Sequence, residues 1–280
     1  MAATVVEAPL VERRQLSPLC FLLRLGSPEV AERAHPGQFV MVRGAGRWPV
    51  LLSRPFSIAD VGGSEEGPEW FDLLVQVRRG GTQALSQTSP GDRLRVTGPL
   101  GFGFTVVQDA TAHILVAGGV GAAPFPLLAR WIRRDETQGA EPARAIPLYY
   151  LAGAPSAHRL FFTDRLREIG ARVLTATEDG SAGVRGPVTD LLPQVEQDLG
   201  GLEGAALYVT GPSGLLRACA ELAGERGLRC QLSMESRMGC GMGLCQGCVV
   251  KVRDAEGEGW HYRRVCYEGP VMWAPDVIFE

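Results

Sequence analysis

Three cysteines, Cys240, Cys245 and Cys248, fall within nine residues of the stretch MGCGMGLCQGCV, and a fourth, Cys266, follows after 17 intervening residues. This feature constrains the fold most, because sulfurs gathered this closely require a metal centre or cross-links. Gly239, Gly241, Gly243 and Gly247 lie among the cysteines, and glycine lets a backbone turn through positive φ and approach sulfur closely. Cys-x4-Cys-x2-Cys with a distant fourth Cys is the plant-type spacing for a 2Fe-2S cluster, whose sulfides can also accept bonds from backbone N–H groups. A four-Cys zinc site is an alternative, although zinc ribbons favour two short Cys pairs over a trio plus one. Disulfides are another, with glycines this dense making a poor staple pattern.

At 280 residues the chain can hold two domains with their own cores and a small appended module. Its net charge of −3 lacks a polyanion-binding signature, so nucleic acid is not an expected partner. Cys20, Cys219 and Cys230 read as small buried thiols, a usage that fits a reducing compartment. The opening MAATVVEAPLVERRQL lacks the basic head and apolar core of a signal peptide. The most apolar region, 114–132, is broken by Gly118, Gly119, Gly121, Pro124 and Pro126 and carries Arg130, which argues against a membrane span. A cytoplasmic location is expected.

Between Val5 and about Thr105, short apolar runs at 20–25, 38–42, 71–77 and 93–97 alternate with Pro-Gly and Gly-Gly turns, as in an antiparallel barrel or sandwich. Two places depart from plain barrel sequence. Arg54-Pro55-Phe56-Ser57 combines a guanidinium fork that suits a diphosphate with a hydroxyl, or else is an edge strand with a surface Arg. Gly80-Gly81-Thr82 reads as a turn opening a short helix that could face phosphate, or as a simple hairpin with a Thr cap.

The cluster Gly98-Pro99-Leu100-Gly101 marks the expected domain boundary. Beyond it, strands are expected at 112–117, 145–152, 172–177 and 206–210, with helices at 157–169 and 214–226. That alternation predicts a doubly wound parallel sheet, whose ligands bind beyond the carboxyl ends of the strands. Those ends carry Gly118, Gly119 and Gly121, then Glu178 and Asp179, then Gly211 and Pro212. Either carboxylate could hold ribose hydroxyls and repel a 2′-phosphate, favouring NADH over NADPH, or could cap a turn. A last strand at 249–252, a polar hairpin at 253–259 and a strand at 262–265 lead to Cys266.

Arg54-Pro55-x-Ser57 followed by Gly80-Gly81-Thr82 resembles the FAD-binding barrel of the ferredoxin reductase family, and Gly118-Gly119-Val120-Gly121-x-x-Pro124 resembles its pyridine-nucleotide domain. The resemblance implies FAD contacts from Arg54, Pro55, Phe56, Ser57, Gly81 and Thr82, with Leu74, Val75 and Gln76 as the strand beside the cofactor. It places NAD(H) near Gly118, Gly119, Gly121, Glu178, Asp179, Gly211 and Pro212. Many relatives carry Cys-Gly-Pro where this chain has Thr210-Gly211-Pro212, so a thiol-dependent step is not carried over. With CGxGxCxGCVVK and VCxxGPV, nearly the whole chain is similar to the electron-transfer subunits of dihydroorotate dehydrogenase B. That likeness implies a pyrimidine-biosynthesis relay from an FMN-containing dihydroorotate dehydrogenase catalytic subunit through a 2Fe-2S cluster and FAD to NAD+, in a heterotetramer with two subunits of each kind. FAD/2Fe-2S subunits of NADH-dependent ferredoxin:NADP+ oxidoreductases share the layout and stay open as an alternative, as does a non-catalytic zinc-bearing nucleotide module.

The expected architecture is α+β multidomain: an N-terminal antiparallel β-barrel for FAD (1–104), a central α/β doubly wound parallel sheet for NAD (105–230) and a small C-terminal 2Fe-2S module (231–280) with metal ligands Cys240, Cys245, Cys248 and Cys266. Met242, Leu244, Val271, Met272 and Trp273 are candidates either for contact with the partner subunit or for packing inside the module.

Overall fold

The computed structural model describes residues 3–46, 48–137, 145–254 and 259–279. Six antiparallel strands close the N-terminal barrel: β1 (Thr4–Ser17), β2 (Cys20–Gly26), β3 (Phe39–Gly44), β4 (Arg54–Ser64), β5 (Gly67–Gln76) and β6 (Arg93–Leu100), in the order β1-β2-β5-β4-β3-β6. Period-2 alternation explains why β2 and β5 read as nearly continuous apolar runs. Phe21, Leu23, Leu25, Phe71, Leu73 and Val75 fill the barrel, while Cys20 and Leu74 point the other way into a core they share with Phe104 and Phe125. Closure removes most of the open strand edge that an unpaired sheet would present.

Two short helices, α1 (Pro28–Ala31) and α2 (Gly81–Leu85), belong to the barrel. The second sheet runs β10-β9-β8-β7-β11-β12-β15, from β7 (His113–Gly118), β8 (Leu148–Ala154), β9 (Arg172–Thr177), β10 (Val184–Arg185), β11 (Ala206–Thr210), β12 (Arg229–Ser233) and β15 (Val271–Trp273). Strands β7 to β12 are parallel, and β15 pairs antiparallel with β12. Helices α3 (Phe125–Thr137), α4 (Thr163–Glu168), α5 (Leu192–Leu199) and α6 (Ser213–Arg226) form the crossovers. Both sheet faces are covered: Ile114 and Val116 enter one core, Leu115 and Ala117 the other.

The cysteine segment is stitched to this sheet. A hairpin of β13 (Val249–Arg253) and β14 (Trp260–Arg264) leads into α7 (Val265–Glu268), and the chain then returns as β15. Cys248, Val252, Val265, Cys266 and Met272 share a core with Leu207, Val209 and Leu232 of the sheet. Strand β12 crosses position 230/231, and residues 255–258 of the expected polar hairpin lie outside the described residues.

Three local readings change. The expected helix at 157–169 is a single 3-10 turn, Ala157–Arg159, followed by α4. Between them Phe161 is buried and its carbonyl accepts a bond from the Tyr150 hydroxyl at 2.9 Å, while Phe162 turns left-handed at φ 61°. Tertiary burial there overrides a helical pattern. Strand β8 starts at Leu148 rather than 145, after Pro147, whose carbonyl accepts from the His113 N–H at 2.8 Å. The Gly98-Pro99 pair lies inside β6 instead of ending it.

Tyr208 anchors the start of the α/β region. Its hydroxyl accepts the Val107 N–H at 3.0 Å and lies 3.2 Å from His113 Nδ1, and burial pushes the His113 imidazole down to about 4. Tyr208→Phe strands a buried N–H and is expected to lower stability by about 1–3 kcal/mol. A denaturation midpoint unchanged from that of the parent protein would contradict this account.

Candidate redox site

The four cysteines form no disulfide with one another and fall into two pairs. Cys240 is half-buried and Cys245 exposed, and the Cys245 N–H donates to Cys240 Sγ at 3.4 Å. Cys248 and Cys266 are both buried, and the Cys266 N–H donates to Cys248 Sγ at 3.4 Å. Further donors come from Met242 N–H to Cys240 Sγ at 3.4 Å and from Gly243 N–H to Cys266 Sγ at 3.2 Å. Gly243 must be glycine for two reasons: its φ is +79°, and a Cβ would meet Tyr267 at 2.9 Å.

Desolvation alone would raise the Cys240 thiol, yet the N–H donors of Cys245 and Met242 outweigh it and bring Cys240 down to about 6. Burial pushes Cys266 up to about 12, with the neighbouring Cys248 adding to it. The loop thus favours thiolate at Cys240. Among the described residues no three His, Cys, Asp or Glu side chains converge as ligands of a single ion. Two cysteine pairs suit a binuclear iron–sulfur cluster, which takes four cysteine ligands.

Two open cavities meet beside this loop. The first, about 520 Å³, is lined by Pro55, Phe56 and Ser57 from β4 and by Gly121, Thr210 and Gly211 from the sheet. The second, about 490 Å³, is lined by Gln76 at the end of β5 and by Gly118, Gly119, Glu178 and Pro212. Arg78, Val120 and Glu235 line both. Cavities at the carboxyl ends of β7, β8, β9 and β11 occupy the place where doubly wound sheets take ligands.

Backbone contact between two glycine turns shapes this junction. A Cβ on Gly121 would meet the backbone of Thr210 and Gly211 at 2.8 Å, and Gly211, at φ +145°, lies 3.0 Å from Gly118 in the same sense. The Thr210 hydroxyl donates to the Gly121 carbonyl, tying strand end to turn. The residue that replaces the family cysteine therefore has a structural partner here.

Of the remaining expected residues, Arg54 and Gly81 touch each other without lining either cavity: a Cβ on Gly81 would meet Arg54 Cγ at 3.0 Å and Trp48 Cζ2 at 2.9 Å. Thr82 Oγ1 accepts the Arg78 N–H at 2.7 Å, linking the helix start to the cavity wall. Leu74 and Val75 are buried in β5, which delivers Gln76. Asp179 is separated from Glu178: its Oδ1 accepts the Ser181 N–H at 2.9 Å and the Ser181 hydroxyl at 2.6 Å, so it holds a turn while Glu178 faces the cavity.

Sequence reasoning passed over Arg78, Arg159 and Glu235. Arg159 lines the second cavity with Glu178 and supplies it with a cation. Glu235 is exposed to the recess yet deep enough in protein that burial raises its carboxyl, with Arg78 opposing. Its one sequence cue is a charge five positions before the first cysteine, and no spacing rule selects it.

Comparison with known proteins adds three findings. The model for the iron-sulfur cluster binding domain of dihydroorotate dehydrogenase B matches residues 235–278. The dihydroorotate dehydrogenase B (NAD(+)) electron transfer subunit of Caldanaerobacter subterraneus subsp. tengcongensis is 38% identical over 248 residues, 89% of each chain, and that of Desulforamulus reducens is 32% identical over 276 residues, 99% of each. A chain in the structure of NADH-dependent reduced ferredoxin-NADP oxidoreductase, studied for flavin-based electron bifurcation, superposes with a TM-score of 0.78 at 26% identity, covering 99% of this chain and 91% of that one. A ferredoxin NADP+ reductase from Neisseria gonorrhoeae with bound FAD and NADP shares the fold, with a TM-score of 0.62 at 17% identity over 80% of this chain and 92% of that one. Identity of this extent, over a fold and a cysteine loop of this kind, shows that the chain belongs to the family of dihydroorotate dehydrogenase B electron-transfer subunits.

Proposed function

We propose that this subunit exchanges electrons with NAD(H) where its two cavities meet, using FAD in the first cavity and a 2Fe-2S cluster on Cys240, Cys245, Cys248 and Cys266. Its partner is an FMN-containing dihydroorotate dehydrogenase catalytic subunit, two of each forming a heterotetramer. The observation that carries the reading is the junction itself: flavin-motif residues of β4, glycine turns of the sheet and the segment leading into the cysteines all face one recess. A nicotinamide exchanges a hydride, a cluster exchanges single electrons and a flavin does both.

The chain's own residues act by holding and excluding. Pro55, Phe56 and Ser57 would present one wall for the isoalloxazine ring, and Arg54, packed on Gly81 outside that lining, would take the diphosphate. Gly119, where an added Cβ would meet nothing within 4 Å, leaves room for a dinucleotide backbone, while Gly118 packs directly against Pro212 on the same wall. Glu178 accepts hydrogen bonds from ribose hydroxyls and repels a 2′-phosphate, and Arg159 offsets the charge of the pyrophosphate. Asp179, committed to its turn, takes no part. The N–H donors around Cys240 and Cys266 hold the thiolates that ligate iron.

The apolar surface near the outer cysteine pair divides in two. Met272 is buried and packs inside, whereas Leu244 is 78% exposed and Met242 and Trp273 are exposed beside it in sequence or on β15. Exposed apolar side chains around a one-electron site suit a protein partner more than water. Among the described residues no helix is long and apolar enough to cross a membrane.

Two outcomes test this reading. Glu178→Gln is expected to raise the NADPH:NADH ratio of kcat/KM about tenfold, the scale of one screened charge contact; steady-state reduction of an artificial acceptor measures it, and an unchanged ratio counts against the ribose role. Leu244→Asp is expected to abolish co-purification of the catalytic subunit while iron content holds, and a complex that survives the charge would move the docking face elsewhere.

A further inference from the structure

Away from the cavities, two carboxylates are buried side by side on the outside of the barrel. Asp60 of β4 and Asp72 of β5 are cross-strand partners, and both side chains have 0% exposure. Like charges directly opposite on adjacent strands repel. The barrel supplies one cation within reach: Arg24 of β2 clasps Asp72 in a fork, Nε to Oδ1 at 2.9 Å and Nη2 to Oδ2 at 3.0 Å. Arg24 is itself shared with Glu12 at 3.6 Å and stacked over Trp70.

The balance comes from the α/β region. Arg165 of α4 bridges both carboxylates, with Nη2 on Asp60 Oδ2 and Nη1 3.3 Å from Asp72 Oδ2. Arg130 of α3 donates to Asp60 Oδ1 and to the Val61 carbonyl. Asp60 therefore has its salt bridges, among the described residues, with arginines from outside the barrel. Among the described residues its barrel-side bond is from the Val61 N–H at 2.9 Å.

The same two elements that meet here also form the cavity walls. Strand β4 presents Ser57 to the first cavity, three residues and about 10 Å before Asp60. Helix α3 follows Pro124, which lines that cavity, six residues and about 9 Å before Arg130. Both lever arms are short; the helical one is regular, and β4 shifts register against β5 between Ile58 and Asp60. Planar guanidinium forks also fix direction as well as distance.

We infer that Asp60, Asp72, Arg130 and Arg165 are positioning residues, a yoke joining β4 to α3 that sets the spacing between flavin and nicotinamide. The inference rests on the functional reading above, which places FAD in the first cavity, between Ser57 and Pro124, and NAD(H) where that cavity meets the second at Val120. Stability alone is a weak reason for this network, because buried ion pairs contribute little beyond what a well-packed apolar replacement provides. Orientation is the stronger reason, as hydride transfer depends steeply on placement.

The test uses the full chain carrying FAD and cluster, mixed rapidly with NADH. Asp60→Asn and Arg130→Met are each expected to slow flavin reduction at saturating NADH by about ten- to a hundredfold. The half-saturating NADH concentration and the FAD content hold, while the long-wavelength charge-transfer absorbance of stacked nicotinamide and flavin weakens. Amide hydrogen exchange at the starts of β4 and α3 rises. Arg130→Lys keeps the charge but loses the planar guanidinium whose Nη2 donates to both Asp60 and the Val61 carbonyl, and is expected to fall between the wild type and Arg130→Met. Wild-type reduction rates and charge-transfer absorbance in the variants, with only a lower melting temperature, would overturn the inference. A wild-type protein that NADH cannot reduce would remove the functional reading itself, and the inference with it.

Discussion

Backbone N–H groups aimed at sulfur are the interaction on which the rest of this structure depends. The cysteine loop can offer those donors only if its backbone turns where glycine alone turns cheaply, as at Gly243. A loop so rich in glycine has little core of its own. It is held by burying Cys248, Cys266, Val265 and Met272 in the core of the neighbouring sheet and by pairing β15 with β12. The module is thus an extension of the nucleotide-binding sheet. That continuity places Glu235, just after β12, on the wall between the two cavities.

The larger elements were legible in the sequence because each obeys a simple period or an unambiguous spacing. Alternation at 71–77 gave the barrel strand that delivers Gln76, and β-branched apolar runs ending in glycine gave the parallel sheet and its ligand-bearing edge. The x4/x2 cysteine spacing by itself points to the cluster. The errors lie where tertiary forces override local pattern. Residues 157–169 have helical periodicity, but burial of Phe161 and the Tyr150 bond to its carbonyl break the helix.

Site residues were legible in proportion to how far their role is written in local motif. Ser57 and Gly121 belong to motifs and do face a cavity. Glu178 and Asp179 are adjacent and chemically alike, and only a bond to Ser181 separates one that faces the cavity from one that does not. Arg78 and Glu235 lie 157 positions apart in the chain and meet only through the fold. The buried carboxylates show the same limit. Asp60 and Asp72 look like surface charges in alternating strands, and nothing local says that Arg130 and Arg165 will cover them.

One chain here joins a nicotinamide site to a single-electron centre. The most direct test is the visible absorption spectrum of the aerobically purified protein, recorded before and after NADH is added. The account predicts a flavin band with broad iron–sulfur absorbance at longer wavelength, both bleached by NADH. A colourless protein with zinc on its four cysteines would contradict it.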